Sequence, residues 1–322
     1  MTLRLLLAAM VLAWPSGVQA EIALGGKVTL SFATVAEGRK VLAHRDEFVE
    51  RLSPFDRSSR LQTDEEVTEE RYLEFVGKNI LAWENEEKEK IKRALANVQK
   101  TIAEMALPFP ENLFLIKTTG KEEGGAAYTR GNAIVLPQGM LGAPEAGIRK
   151  TVCHELFHIL SRANAELREK CYAAIGFENC GEIPFPEELQ SRKLTNPDAP
   201  MNAHCIRVKV DKEDQWVVPI LFSRTEKYNV ERGQPFFWYL EFRMVVVQRL
   251  EGGAVKLVKE DGKAKLVHVN QVTGFHEQVG KNTGYIIHPE EILADNFALL
   301  VLGAKDLPSP EVVEKLATIL GE

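Results

Sequence analysis

The 322-residue sequence has only four cysteines, and no two of them form a Cys-x-x-Cys pair of the kind that holds a structural zinc. It has no excess of cationic charge. Its 40 Lys and Arg face 46 Asp and Glu, and a pI near 5.8 leaves no broad basic surface for sequence-independent nucleic-acid binding. It also lacks an apolar run long enough to span a bilayer: the longest after the first twenty residues, Pro235 to Val247, is broken by Glu241 and Arg243. No internal repeat or low-complexity tract is present. With 45% hydrophobic and 27% charged residues, the composition is that of a folded chain of one or two domains.

The N-terminus reads as a targeting segment. Arg4 precedes the apolar run Leu5 to Trp14, then Pro15 and Gly17, and the small residues Val18 and Ala20 flank a cut before Glu21. Residues 1–20 are therefore expected to be a cleavable signal peptide. Its removal takes away Arg4 and no acid, leaving 39 cationic against 46 acidic residues, a net charge of −7. No Cys follows until Cys153, so an acceptor for a lipid anchor is missing. A soluble periplasmic or secreted protein with no transmembrane segment and no nucleic-acid partner is expected.

Hydrophobic periodicity predicts an α+β fold. Amphipathic helices are expected over 34–52, 65–83 and 84–106, the last with a stripe of Ile91, Leu95, Val98, Ile102 and Met105. Short strands follow at 113–117 and 126–136, then a helix over 144–162. Residues 165–284 read as a β-rich insert, with strands at 205–210, 216–223, 236–247 and 265–269. Helices at 289–302 and 310–320 close the chain. This organisation suggests a helical N-terminal extension over 21–83 and a main domain over 84–322.

The central helix carries His154-Glu155-Leu156-Phe157-His158, the H-E-x-x-H pattern of zinc metallopeptidases. Residues four apart share one helical face, so both imidazoles can converge on one ion, with Zn–N distances of about 2.0–2.1 Å. Glu155 lies about 100° further round the helix, beside the ion, where its carboxylate can serve as general base towards a water polarised by the metal. A third ligand is required. The pattern with a further His six residues on fails, because Ser161 stands where Gly is needed and Asn164 where His is needed.

With the segment 288–295, the sequence resembles the gluzincins, the thermolysin-like zincins. In that family the third ligand is a Glu, followed four residues later by an Asp that accepts a hydrogen bond from a ligand His. Glu291 with Asp295 matches this spacing, whereas Glu290 would pair with Ala294. The resemblance implies a zincin-like domain, zinc held by His154, His158 and Glu291, and a peptide or protein substrate hydrolysed with Glu155 as general base. It also implies that the segment 127–135, with Asn132 and Ala133, is an edge strand onto which extended substrate adds. It covers neither residues 21–83 nor the insert.

The sequence departs from the family in two ways. The insert puts 132 residues between His158 and Glu291, and no His follows His288 to steady a transition-state oxyanion. Tyr285 is the first candidate for that role, with His288 and His276 behind it. Four Cys in an exported chain permit two disulfides: Cys171 and Cys180 could close a short loop and leave Cys153 to Cys205. Two further readings stand beside the enzyme: a non-catalytic envelope protein that uses a zincin scaffold to bind a partner, and an enzyme held inactive by its own N-terminal segment.

Overall fold

The computed structural model describes residues 22–321, and the expected signal peptide lies outside them. The first half of the chain runs β1 (Ile22–Gly25), β2 (Val28–Phe32), α1 (Val35–Leu42), α2 (Glu47–Glu50), α3 (Pro54–Leu61), α4 (Glu69–Lys78), β3 (Ile80–Leu81) and α5 (Asn85–Glu104). It continues through β4 (Asn112–Thr118), β5 (Tyr128–Arg130), β6 (Ala133–Pro137), α6 (Glu145–Ala163) and α7 (Ala165–Ala174). The strands form one sheet of order β1-β2-β4-β6-β5, with β3 also on β4. β2, β4 and β6 run parallel, while β1, β3 and β5 are antiparallel to their neighbours.

Both faces of this sheet are covered, and the alternation along its strands shows how. Leu113, Leu115, Ile134 and Leu136 pack against Ile91, Leu95 and Val98 of α5 and Val152, Leu156 and Leu160 of α6. Phe114, Ile116, Ala133 and Val135 point the other way, into Leu42, Phe48, Val49, Tyr72 and Val76 of α1, α2 and α4. Each fully buried aliphatic or aromatic side chain contributes roughly 1.5–3 kcal/mol of transfer free energy.

Residues 21–83 are therefore not a separate helical extension. β1 and β2 are strands of the main sheet, and α1–α4 are the layer that covers its second face. The β1–β2 hairpin escapes helical periodicity because it is short and bulged at Ala23/Gly25. Gly25, at φ +113°, lies so close to α5 that a Cβ there would sit 2.6 Å from Ala103 Cα. The helix expected over 34–52 breaks in two because the Asp46 side chain accepts from Val49 N–H and starts α2 afresh. The strand expected over 126–136 folds into a hairpin at Gly131, φ +55°.

The second half comprises β7 (Phe177–Asn179), α8 (Glu187–Gln190), β8 (His204–Val210), β9 (Glu213–Ser223), β10 (Leu240–Arg249), β11 (Val255–Leu257), β12 (Lys259–Glu260), β13 (Lys263–Ala264), β14 (Leu266–Val267) and β15 (Val272–Thr273). α9 (His276–Val279), α10 (Pro289–Val301) and α11 (Pro310–Leu320) complete it. A second sheet has the order β11-β10-β9-β8-β15, with β14 on β10 and β7 on β8. The β-rich expectation for 165–284 thus agrees with the strands seen there, although the region opens with the helix α7. The architecture is mixed α+β. No helix among the described residues is long and apolar enough to cross a membrane.

All four cysteines are free thiols in buried positions. The β7–β8 register places Glu178 opposite Cys205, and Cys180 N–H donates to Ala203 O at 2.8 Å. Cys180 and Cys205 therefore neighbour one another across the β7–β8 pair, and the Cys180 thiol donates to Ala203 O at 3.4 Å. This adjacency contradicts the expected Cys171–Cys180 and Cys153–Cys205 grouping, because cross-strand proximity rather than loop length decides which sulfurs meet.

Candidate metal centre

The centre lies where α6 packs against α10. The apolar side chains Leu156, Phe157 and Leu160 fix α6 in the core, and the Phe157 ring meets that of Phe297 of α10 at a tilt, centroids 5.7 Å apart. α10 begins at His288, whose Nδ1 accepts from Glu290 N–H at 3.1 Å, and Pro289 occupies its first turn. This start aims Glu290 and Glu291 at α6. They are 2% and 1% exposed, so they do not act as solvated acids at a helix N-terminus.

Both imidazoles are oriented by carboxylates. His154 Nδ1 donates to Asp295 Oδ1 at 3.1 Å, and its Nε2 lies 3.1 Å from Glu291 Oε2. His158 Nδ1 donates to Glu290 Oε1 at 3.0 Å, and its Nε2 lies 3.6 Å from the same Glu291 oxygen. Ligand atoms of His154, His158 and Glu291 fall within 4.8 Å of one another. Thr283 Oγ1 holds the other oxygen of Asp295, and Asn196 Nδ2 donates to Glu291 Oε1. Ser161 Oγ and Tyr172 OH donate to Glu290 Oε2 at 2.7 and 2.6 Å.

A second grouping shares His158. Its ring, Glu155 and Asp198 also have ligand atoms within 4.8 Å of one another. Asp198 comes from the loop between α8 and β8, and its Oδ1 accepts from Thr129 N–H and Thr129 Oγ1 at 2.7 and 2.6 Å. Sequence reasoning missed Asp198, because no periodicity marks this loop. It also assigned no role to Glu290, whose partner His158 is 132 positions away. The only available signal was the adjacency of two acids at the start of α10.

Five carboxylates, Glu155, Asp198, Glu290, Glu291 and Asp295, surround two imidazoles, and their titration reflects that surplus. Burial works against an imidazolium at His154, yet Asp295 and Glu291 outweigh it and push its pKa up to about 10. His158 is driven up against burial by Asp198, Glu291 and Glu290. Glu291 is held well below the usual carboxylate range, against burial, by His158 and His154. Glu155 is instead pushed up to about 8, by burial first and then by the charge of Asp198. Two buried atoms facing this space, His158 Nε2 and Glu155 Oε2, have no hydrogen-bond partner among the described residues. Such orphaned groups ordinarily cost about 1–3 kcal/mol each. A divalent cation fits this donor set: it would take the His158 lone pair and balance the excess negative charge.

Tyr285 sits at the rim, 45% exposed, with its ring 6.4 Å from that of His154 and nearly parallel to it. Burial of its hydroxyl and the nearby carboxylates of Glu291, Asp198 and Glu155 push its pKa upward. His276 and His288 are placed elsewhere. His276 packs on Phe275, and His288 caps α10 and reaches Met201 O at 3.2 Å. Neither Asn132 nor Ala133 lies on the edge strand of the sheet. Asn132 is exposed in the turn after β5, and Ala133 lies in β6, which is paired on both sides by β4 and β5. β5 is one edge of the sheet, and its outward amide, Thr129 N–H, points away from β6 to Asp198 Oδ1.

No family model matches the chain, and comparison with curated proteins and with solved structures likewise returns no match.

Proposed function

We propose that the chain is an exported zinc-dependent metallopeptidase with the gluzincin ligand arrangement, in which His154, His158 and Glu291 hold the ion and Glu155 is the general base. The observation that carries this reading is the convergence of two imidazole Nε2 atoms on Glu291 Oε2, with each Nδ1 anchored on a carboxylate. Paired carboxylate–histidine units of this kind fix the tautomer and raise the basicity of metal-binding imidazoles. Zinc would supply a Lewis acid that polarises a peptide carbonyl and makes water acidic near neutral pH.

The chain's own groups do the rest. The unpartnered Glu155 Oε2 takes a proton from the attacking water and returns it to the leaving amine. Asp295 and Glu290 keep the imidazole lone pairs aimed inward, and Tyr285, stacked on His154, is the candidate to steady developing negative charge. Export follows from the signal-like residues 1–20, and N-terminal sequencing of the mature protein should begin at Glu21.

A second reading, a non-catalytic scaffold that binds a partner, is favoured by one observation: Asp198 crowds the side of His158 on which Glu155 would work. Metal analysis and peptide-library cleavage by the full chain separate the two. One zinc per chain together with cleavage supports the peptidase. Zinc without cleavage, in both wild type and Asp198→Ala, supports the scaffold.

A further inference from the structure

The segment 194–201 crosses the centre without regular secondary structure and is tied down along its length. Leu194 N–H donates to Leu221 O at 2.9 Å. Thr195 N–H donates to both Asp56 oxygens at 3.1 Å, and Thr195 O accepts from Arg60 Nη2 at 2.9 Å. Arg60 is buried but fully partnered, with Glu123 on its fork at 2.8 and 3.0 Å. Past the centre, Lys193 Nζ donates to Pro200 O at 3.1 Å and His288 Nε2 donates to Met201 O at 3.2 Å. Between these anchors, Asn196 reaches Glu291 and Asp198 reaches Thr129.

Asp198 meets two separate requirements of an extended peptide. Its carboxylate lies among the ligand atoms of Glu155 and His158, on the side where water and a scissile carbonyl must stand for Glu155 to act. The same carboxylate takes up Thr129 N–H, the outward amide of the sheet's edge strand, which an added strand would otherwise use. Arg162 Nη2, from the motif helix, reinforces this by donating to Thr129 Oγ1 at 2.8 Å and to Asp198 O at 3.4 Å.

We propose that residues 196–200 form a built-in blocking strap, in which the Asp198 carboxylate occupies the place of a substrate carbonyl and closes the β5 edge. The proposal rests on the metallopeptidase reading and adds its regulation. The block comes from the loop before β8 and not from the N-terminal segment, which only anchors the strap through Asp56 and Arg60. Relief requires moving the few residues between Thr195 and Met201, while the ligand-bearing helices stay in place.

The test uses the full chain, zinc-loaded, with a peptidyl hydroxamate as probe and calorimetry as readout. Asp198→Ala should bind the hydroxamate at least tenfold tighter than wild type and cleave peptides at least tenfold faster, with zinc content unchanged. Asp198→Asn, which keeps the side-chain size and an acceptor for Thr129, should shift both in the same direction by less and covers the case in which the alanine variant does not fold. Equal hydroxamate affinity in wild type and both variants, with zinc retained, overturns the strap. So does loss of cleavage in Asp198→Ala with zinc retained, since Asp198 would then be part of the machinery. Absence of zinc in wild type and variants alike removes the metallopeptidase reading, and the strap with it.

Discussion

The α6–α10 helix pair and the strap that crosses it build two sides of one centre by different physical means. On the helix side each ligand position follows from a local repeat. His154 and His158 are one turn apart, as are Glu291 and Asp295, and a carboxylate backs each imidazole. On the strap side Asn196 and Asp198 are placed only by long-range hydrogen bonds to Asp56, Thr129 and Glu291. The comparison separates two properties that a metal site needs. In the proposed site, helical periodicity would set where the ion is held, and tertiary bonding of an irregular segment would set what can reach it.

The sharpest way to break this division is at Glu155, the one group of the motif that faces both sides. Glu155→Gln removes the proposed base without touching the proposed ligands, so peptide cleavage should fall about 10²- to 10⁴-fold while zinc content stays constant. Cleavage at the wild-type rate would show that Glu155 belongs to the packing of α6 and not to the chemistry.

Within the helix side, Glu290 and Asp295 do the same job in different surroundings. Removing either should weaken zinc affinity by about 10- to 100-fold. Asp295 is part-exposed, whereas Glu290 also accepts from buried Ser161 and Tyr172 hydroxyls, so Glu290→Ala leaves three buried donors unmet. Its melting temperature should drop well below that of Asp295→Ala, at about 1–3 kcal/mol per unmet group. Zinc titration and thermal melts on the two variants test this, and equal melting temperatures would contradict it.

The smallest expected effect lies where the two sides touch, at His288. Its Nδ1 accepts from Glu290 N–H and its Nε2 donates to Met201 O, an arrangement only the neutral ring can make. Burial pulls its pKa down from 6.5 to about 4. A histidine held low in the fold adds stability that is fully present above pH 6.5 and is lost as pH falls towards 4. Melting temperature should decline over that window in wild type and decline less in His288→Asn, which keeps a capping side chain but does not titrate.

Much of the helix side was legible in the sequence, and almost none of the strap was. The i, i+4 spacing of His154 and His158 and the Glu291/Asp295 pair are local patterns that survive without a fold. Glu290 gives no such local pattern, because its meaning depends on His158 arriving from another helix. Asp198 had no signal at all, since a Pro-flanked loop carries no periodicity from which to read a direction. The domain boundary near residue 83 failed for a related reason. α1–α4 are amphipathic by themselves, and only the alternation of Phe114 and Ile116 on β4 reveals the second sheet face they cover. The segment 127–135 contains the edge strand β5, but Asn132 and Ala133 fall beyond it, because the chain reverses at Gly131 and continues as the inner strand β6.

Whether the α6–α10 pair holds one zinc through His154, His158 and Glu291 is decided by metal stoichiometry and zinc X-ray absorption on the full chain and on Glu291→Ala. The expected result is one zinc per wild-type chain with two imidazole nitrogens at about 2.0–2.1 Å, and loss of zinc in Glu291→Ala. Full zinc occupancy with an unchanged ligand shell in Glu291→Ala would contradict it.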